Sequence, residues 1–338
     1  MVERKNYIVV ASVISALAVI CLHTNDFWTF RYSLGWVVSN FIESVFYFAV
    51  PVFFMITGVT LFDFSSRYST IKFFKKRINK TVIPFLFWSV LAIPFSMFLL
   101  NIQYDLSIKN FLSMIFQTKI VQFYWFFIPL FVVYLAIPVF TKMTKNLKIE
   151  VFKYCILLTI IINYILPFCF KIFNIEYNPN FVFSIGTGYI SYCMIGYLID
   201  NIEINLQHKK IIYGLGIIGF LLLFLGTWIL SYHDGMINTI FKEYLNFPAC
   251  MYSAAVFLFF KDFFNKRELN KIISFFSEET FNVYLLQYFF ISYIIVHHSG
   301  WFGNVMLRFL AGIVLFVVIS ILSKLLKKIP GIKYVLPN

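Results

Sequence analysis

Charge is scarce in this chain. Of 338 residues, 13% are Asp, Glu, Lys or Arg, against about a quarter in a typical soluble domain. Cysteine is scarce too: Cys21, Cys155, Cys169, Cys193 and Cys250 are the only five. They form no CxxC pair, and an odd, scattered set does not describe a disulfide scaffold. They read as small apolar packing residues. No GxxxxGK[ST] loop and no strand followed by GxGxxG occurs, which argues against ATP-driven chemistry by this chain alone. No HExxH or Cys/His spacing suggests zinc. A Pro/Gly/Ser-rich linker is missing, as is any low-complexity stretch. With no room for a soluble domain, residues 1–338 read as one membrane domain.

Apolar residues are abundant instead. They make up 61% of the chain, aromatics reach 21%, and 45 residues are Phe. The mean hydropathy is +0.83. A soluble protein of this size has too small an interior for so much apolar surface, and a disordered one would be far more polar. The apolar runs are long and near-continuous, which excludes the short alternating segments of a membrane β-barrel. The expected fold class is therefore an all-α polytopic membrane protein. About ten spans fit, at 7–24, 35–62, 82–101, 121–140, 151–169, 181–199, 211–231, 245–260, 279–297 and 304–323. Arg4 and Lys5 followed by an apolar run resemble a signal peptide, but the Ala16-Leu17-Ala18 triplet lies inside that run, so residues 7–24 read as an uncleaved first span.

The net charge of +13 would suggest nucleic acid in a soluble protein. Here its distribution reads as topology. Of the 28 Lys and Arg, 22 fall in one set of connections; only Arg31, Lys109, Lys119, Lys171, Lys242 and Arg308 fall in the other. The positive-inside rule places the richer set, and both termini, in the cytoplasm of a multi-pass protein of the plasma or inner membrane. Anionic lipid is a secondary partner for that charge; nucleic acid is not expected.

Ionisable groups inside spans are costly, so each needs a reason. His23 closes the first span in Leu22-His23-Thr24-Asn25-Asp26. It suits a general base oriented by Asp26 or Glu43, or equally an interfacial histidine bonded to a loop. Glu43 lies within the second span, flanked by aromatics, and must face a cavity, pair with a cation or stay protonated. A structural hydrogen bond to a neighbouring helix is the alternative to a cavity-facing role, which is the favoured one. Lys72 to Pro84 forms a basic entrance to the third span. Arg77 and Lys80, three apart, share a helical face and suit donor phosphates; an ordinary positive-inside anchor explains them as well. Tyr124-Trp125 opens the fourth span as an aromatic belt or a sugar-stacking surface. Gln287, deep in the ninth span, bonds between helices or lines a cavity. His233-Asp234 and His297-His298 read as loop or interfacial residues.

Taken in order, several motifs resemble the membrane-bound acyltransferase family 3, whose members include O-acyltransferases of bacterial surface glycans such as that of enterobacterial common antigen. Val50-Pro51-Val52-Phe53-Phe54-Met55-Ile56-Thr57-Gly58 looks like the family's "VPLFFMISG" segment. His23-Thr24 matches its first-span histidine. Arg77, Lys80 and Pro84 are similar to its basic "RxxR…P" motif. Trp125-Phe126, Tyr134-Leu135 and Pro138 resemble "WF…YL..P". Tyr192, Gly196-Tyr197-Leu198 and Ser277, Tyr284-Leu285 fit two later patterns. The matches run from about residue 7 to 325 at compatible spacing. Some family positions differ: its first-span Asp and Arg fall at Val9 and Ser12, its second basic-motif Arg at Lys80, its Arg before "VP" at Tyr47, and its late His at Gln287.

The resemblance implies transfer of an acyl group, usually acetyl from cytoplasmic acetyl-CoA, to a hydroxyl of a glycan or lipid-linked saccharide, with no permanently bound cofactor. It puts the base at His23, with Glu43 and Asp26 as candidates beside it. Arg77, Lys80 and neighbouring Lys76 become the donor-phosphate set. Trp125, Tyr124 and Gln287 become acceptor contacts. A flippase for a lipid-linked sugar and an inactive membrane scaffold are the rival readings.

Overall fold

A computed structural model describes residues 5–298, 300 and 304–337; Arg4 lies outside them. Among the described residues there is no strand, and nine helical stretches are long and apolar enough to cross a membrane. The protein is a polytopic helical membrane protein.

The first crossing is α1 (Asn6–Thr24). The second breaks into α2 (Leu34–Phe46) and α3 (Ala49–Leu61). The third joins α4 (Thr70–Arg77) to α5 (Ile83–Leu99) through a π-helical turn at Ile78–Val82. After the short α6 (Ile108–Phe116), α7 (Phe127–Phe140) makes the fourth crossing. The fifth runs from α8 (Lys145–Leu158) through a second π turn into α9 (Leu166–Ile172).

The sixth crossing departs from the continuous helix expected over 181–199. Residues 173–189 are irregular, and only α10 (Ile190–Asn201) is helical. Gly188 sits at φ +72°, where the chain turns into α10. Irregular backbone needs hydrogen-bond partners outside its own segment. Asn163 supplies them: its amide donates to the Phe183 carbonyl and its oxygen accepts from the Phe183 N–H, at 2.9 and 2.8 Å.

The seventh crossing pairs α11 (Leu206–Leu221) with α12 (Thr227–Asp234) around a third π turn. The eighth is α13 (Phe247–Phe264). A short α14 (Lys271–Ser277) leads into α15 (Thr280–His297) and α16 (Val305–Leu326).

Polar contacts sort these ends into two sides. Lys5, ahead of α1, pairs with Asp200 at the end of α10 at 2.6 Å. Lys261 caps the same α10 carbonyls. Lys327, after α16, pairs with Glu279 at the start of α15 at 2.9 Å. At the other side, Arg308 of α16 meets Asp26 beyond α1 at 3.2 Å, and His297 meets the Leu99 carbonyl at 2.7 Å. Lys5 and the segment after α16 therefore share the lysine-rich side. Two apolar cores flank α1. One gathers α3, α7, α10 and α13; the other gathers α5, α15 and α16. Close approach fixes the first: a Cβ on Gly58 would lie 2.0 Å from the Cys193 carbonyl oxygen, and one on Gly196 2.4 Å from that of Met55. All five cysteines are free thiols, four of them buried.

Candidate active site

Between the two cores lies a cavity of about 1030 Å³. On α1 it touches Ser12, Val19, Leu22 and His23. Those positions repeat at seven, three and one residues, so they share one helical face. From Ser12 to His23 the helix rises about 16 Å. The cavity thus extends along half a bilayer's thickness. At the lysine-rich side it meets Arg77, Lys80, Thr81, Ser277 and Glu278; at the other it meets His23, Trp28, Glu43 and Lys242.

His23 occupies the last turn of α1. Its ring lies flat on Phe123, with centroids 4.1 Å apart, and the Gln287 side chain sits beside it. Buried polar atoms usually find partners, yet His23 Nδ1 and Gln287 Oε1 have none within the protein. Both atoms are sealed from solvent, and of the two residues only His23 lines the cavity.

Glu43 and Lys242 form the charged wall. Each is 6% exposed. Asn25 donates to Glu43 Oε2 at 3.0 Å. Lys242 donates to the Asn40 carbonyl at 3.2 Å and lies 4.2 Å above the Phe27 ring. Burial pushes the Lys242 ammonium below the usual lysine range, and the Glu43 charge pulls it back up. Tyr47 fills the place where the resembling family carries an Arg, and its hydroxyl donates to the Lys242 carbonyl. The cation on this wall therefore comes from Lys242, in the segment between α12 and α13.

Next to this wall three rings stack: Trp125 on Tyr244 at 5.6 Å, and Tyr244 on Tyr47 at 4.4 Å. All three face the cavity. Burial holds the Tyr244 phenol well above its usual range, so it stays neutral.

At the lysine-rich side, Arg77 ends α4 just before the π turn that carries Lys80. π turns inside helices often mark functional sites, because the wider turn redirects side chains. The Arg77 guanidinium lies 5.8 and 5.5 Å from the Phe73 and Tyr134 rings, and its buried Nε has no partner.

The structure thus brings His23, Glu43, Arg77, Lys80 and Trp125 to one cavity, with Gln287 beside His23. Three other residues lie elsewhere. Asp26 is held by Arg308, Arg31 and the Thr29 hydroxyl. Lys76 lies 4.0 Å over the Tyr68 ring. Tyr124 is fully buried and donates to the Leu285 carbonyl at 2.5 Å. None of the three lines the cavity. Sequence reasoning overlooked Lys242, Asn25, Tyr47 and Tyr244 as site residues. Lys242 had a signal: it is one of the few cations on the sparse side, just before the eighth span. Among the described residues, no group of three His, Cys, Asp or Glu side chains is placed to hold a metal ion.

The family model for an acyltransferase domain, Acyl_transf_3, matches residues 6–325. The chain belongs to the acyltransferase 3 family. No curated protein and no solved structure matches it, so the family match does not single out the enterobacterial common antigen enzyme among its members. The match embraces every crossing, and with it the whole cavity wall except Pro337. This protein is a multi-pass membrane acyltransferase.

Proposed function

We propose that this acyltransferase 3 protein moves an acyl group, acetyl in the simplest case, from acyl-CoA on the cytoplasmic side to a hydroxyl of an exported or surface glycan. The observation that carries the reading is the single cavity with basic groups at one end and His23 at the other. A donor and an acceptor that approach from opposite faces need such a passage.

In this reading the lysine-rich side is cytoplasmic. Arg77 and Lys80 hold the donor phosphates. The orphaned Arg77 Nε supports that role, since a phosphate oxygen would satisfy it. The Trp125–Tyr244–Tyr47 stack offers aromatic faces to a sugar ring. His23 accepts the proton of the acceptor hydroxyl through an imidazole nitrogen. The oxygen attacks the thioester carbonyl, the new C–O bond forms as the C–S bond breaks, and the leaving thiolate takes the proton back from His23. Gln287 steadies the ring, and Glu43 with Lys242 polarises the acceptor end of the chamber.

The test is the stability of the purified protein in detergent with acetyl-CoA. A ligand at a hundredfold excess over Kd stabilises the folded state by about 2.7 kcal/mol. Wild type should gain melting temperature and Arg77→Ala should not. The absence of any gain in wild type at millimolar acetyl-CoA would overturn the proposal and favour a transporter or an inactive scaffold.

A further inference from the structure

Beyond α16 the chain folds back under the bundle. Leu336 is 0% exposed and joins the apolar core around α5, α15 and α16. The Trp88 indole N–H, on α5, donates to the Val335 carbonyl at 2.8 Å. Asn282 Nδ2, on α15, donates to the Pro337 carbonyl at 3.2 Å.

Asn282 is itself fixed. It donates to Glu279 Oε2 at 3.0 Å, and Glu279 also accepts from Ser323 at 2.6 Å and Lys327 at 2.9 Å. Glu279 is 1% exposed, and a carboxylate so buried persists only with partners of this kind. The network ties α15, α16 and the C-terminal segment together. Its consequence is the position of Pro337, which lines the central cavity beside Arg77, Lys80, Ser277 and Glu278. A segment that served only to cap the helices would have no need to reach the chamber.

We infer that Pro337, carried by the segment 332–336, forms part of the wall of the acyl-donor mouth, with Trp88 and Asn282 as the positioning residues that hold it there. The inference rests on the reading of the lysine-rich side as the donor side. Arg77 and Lys80 attract the phosphates from one flank. Pro337 adds an apolar surface to the same cavity, which continues up α1 toward His23.

The experiment uses the full chain in detergent and acetyl-CoA as the probe. Trp88→Phe keeps an aromatic ring, removes the donated hydrogen bond and trims the buried side chain by one ring. Asn282→Ala removes the second tie, and Trp88→Phe remains informative where that variant fails to fold. The Kd for acetyl-CoA should rise at least fivefold in Trp88→Phe, with KM for the donor rising in step and kcat unchanged. Backbone amides over 332–336 in wild type should exchange more slowly once acetyl-CoA is bound. Two results would overturn the inference while sparing the donor reading: wild type that binds acetyl-CoA with no change in exchange over 332–336, or variants with wild-type or tighter Kd. Wild type that fails to bind acetyl-CoA at all would remove the donor reading and this inference together.

Discussion

Lys242→Met is the substitution that most directly probes the charged wall. It keeps the side-chain length and removes the ammonium. Glu43, 6% exposed, is then left with the neutral Asn25 amide for a partner. Stripping one member of a buried pair costs roughly 3–5 kcal/mol, because the other charge stays buried and uncompensated. Lys242 is bonded to the Asn40 carbonyl and acts on Glu43 through space, so the lower end applies, about 3 kcal/mol or a factor of roughly 150 in the unfolding equilibrium. Glu43→Gln should cost a similar amount, since it strands the lysine. The double variant strands neither charge. Its cost should fall well below the sum of the singles, with a coupling energy of about 2–3 kcal/mol. Equilibrium unfolding in mixed mild-detergent and dodecyl-sulfate micelles measures all four proteins. Strictly additive single and double variants, with coupling under about 0.5 kcal/mol, would refute the argument that the two charges sustain each other.

Three further outcomes follow from the geometry. His23→Ala should lower glycan acylation by about 10²- to 10⁴-fold, the usual contribution of a general base, with the melting temperature of the purified protein nearly unchanged; retained acylation would remove the base assignment. Gly58→Ala should destabilise by about 1–3 kcal/mol or more, because the new methyl group meets backbone of α10 at 2.0 Å and rigid backbone cannot yield; a wild-type thermal melt would show that α3 and α10 are less tightly apposed. In a cysteine-free background, a cysteine at Lys75 should react with a membrane-impermeant maleimide only from the cytoplasmic face, and one at Asn110 only from outside; the reverse pattern would invert the proposed orientation.

The sequence by itself determined the class of the protein and most of the long apolar stretches that make up its bundle. Those properties depend on composition and on runs of about 20 residues, which the solvent reads one segment at a time. It also singled out His23, Glu43 and Arg77, because a polar group in an apolar run is conspicuous without any knowledge of its neighbours. Partners were a different matter. Asp26 is the acidic residue nearest His23 in sequence, yet Arg308, some 280 positions later, holds it. Lys242 lies about 200 residues from Glu43 and becomes its counter-charge only when the segment before α13 folds against α2. The irregular first half of the sixth crossing was hidden for the same reason: its hydrophobicity resembles a span, while Asn163 on another helix satisfies its backbone. Tertiary packing alone decided which of the scattered polar residues share one chamber, because burial charges its cost to each group and only a neighbour in space can offset it.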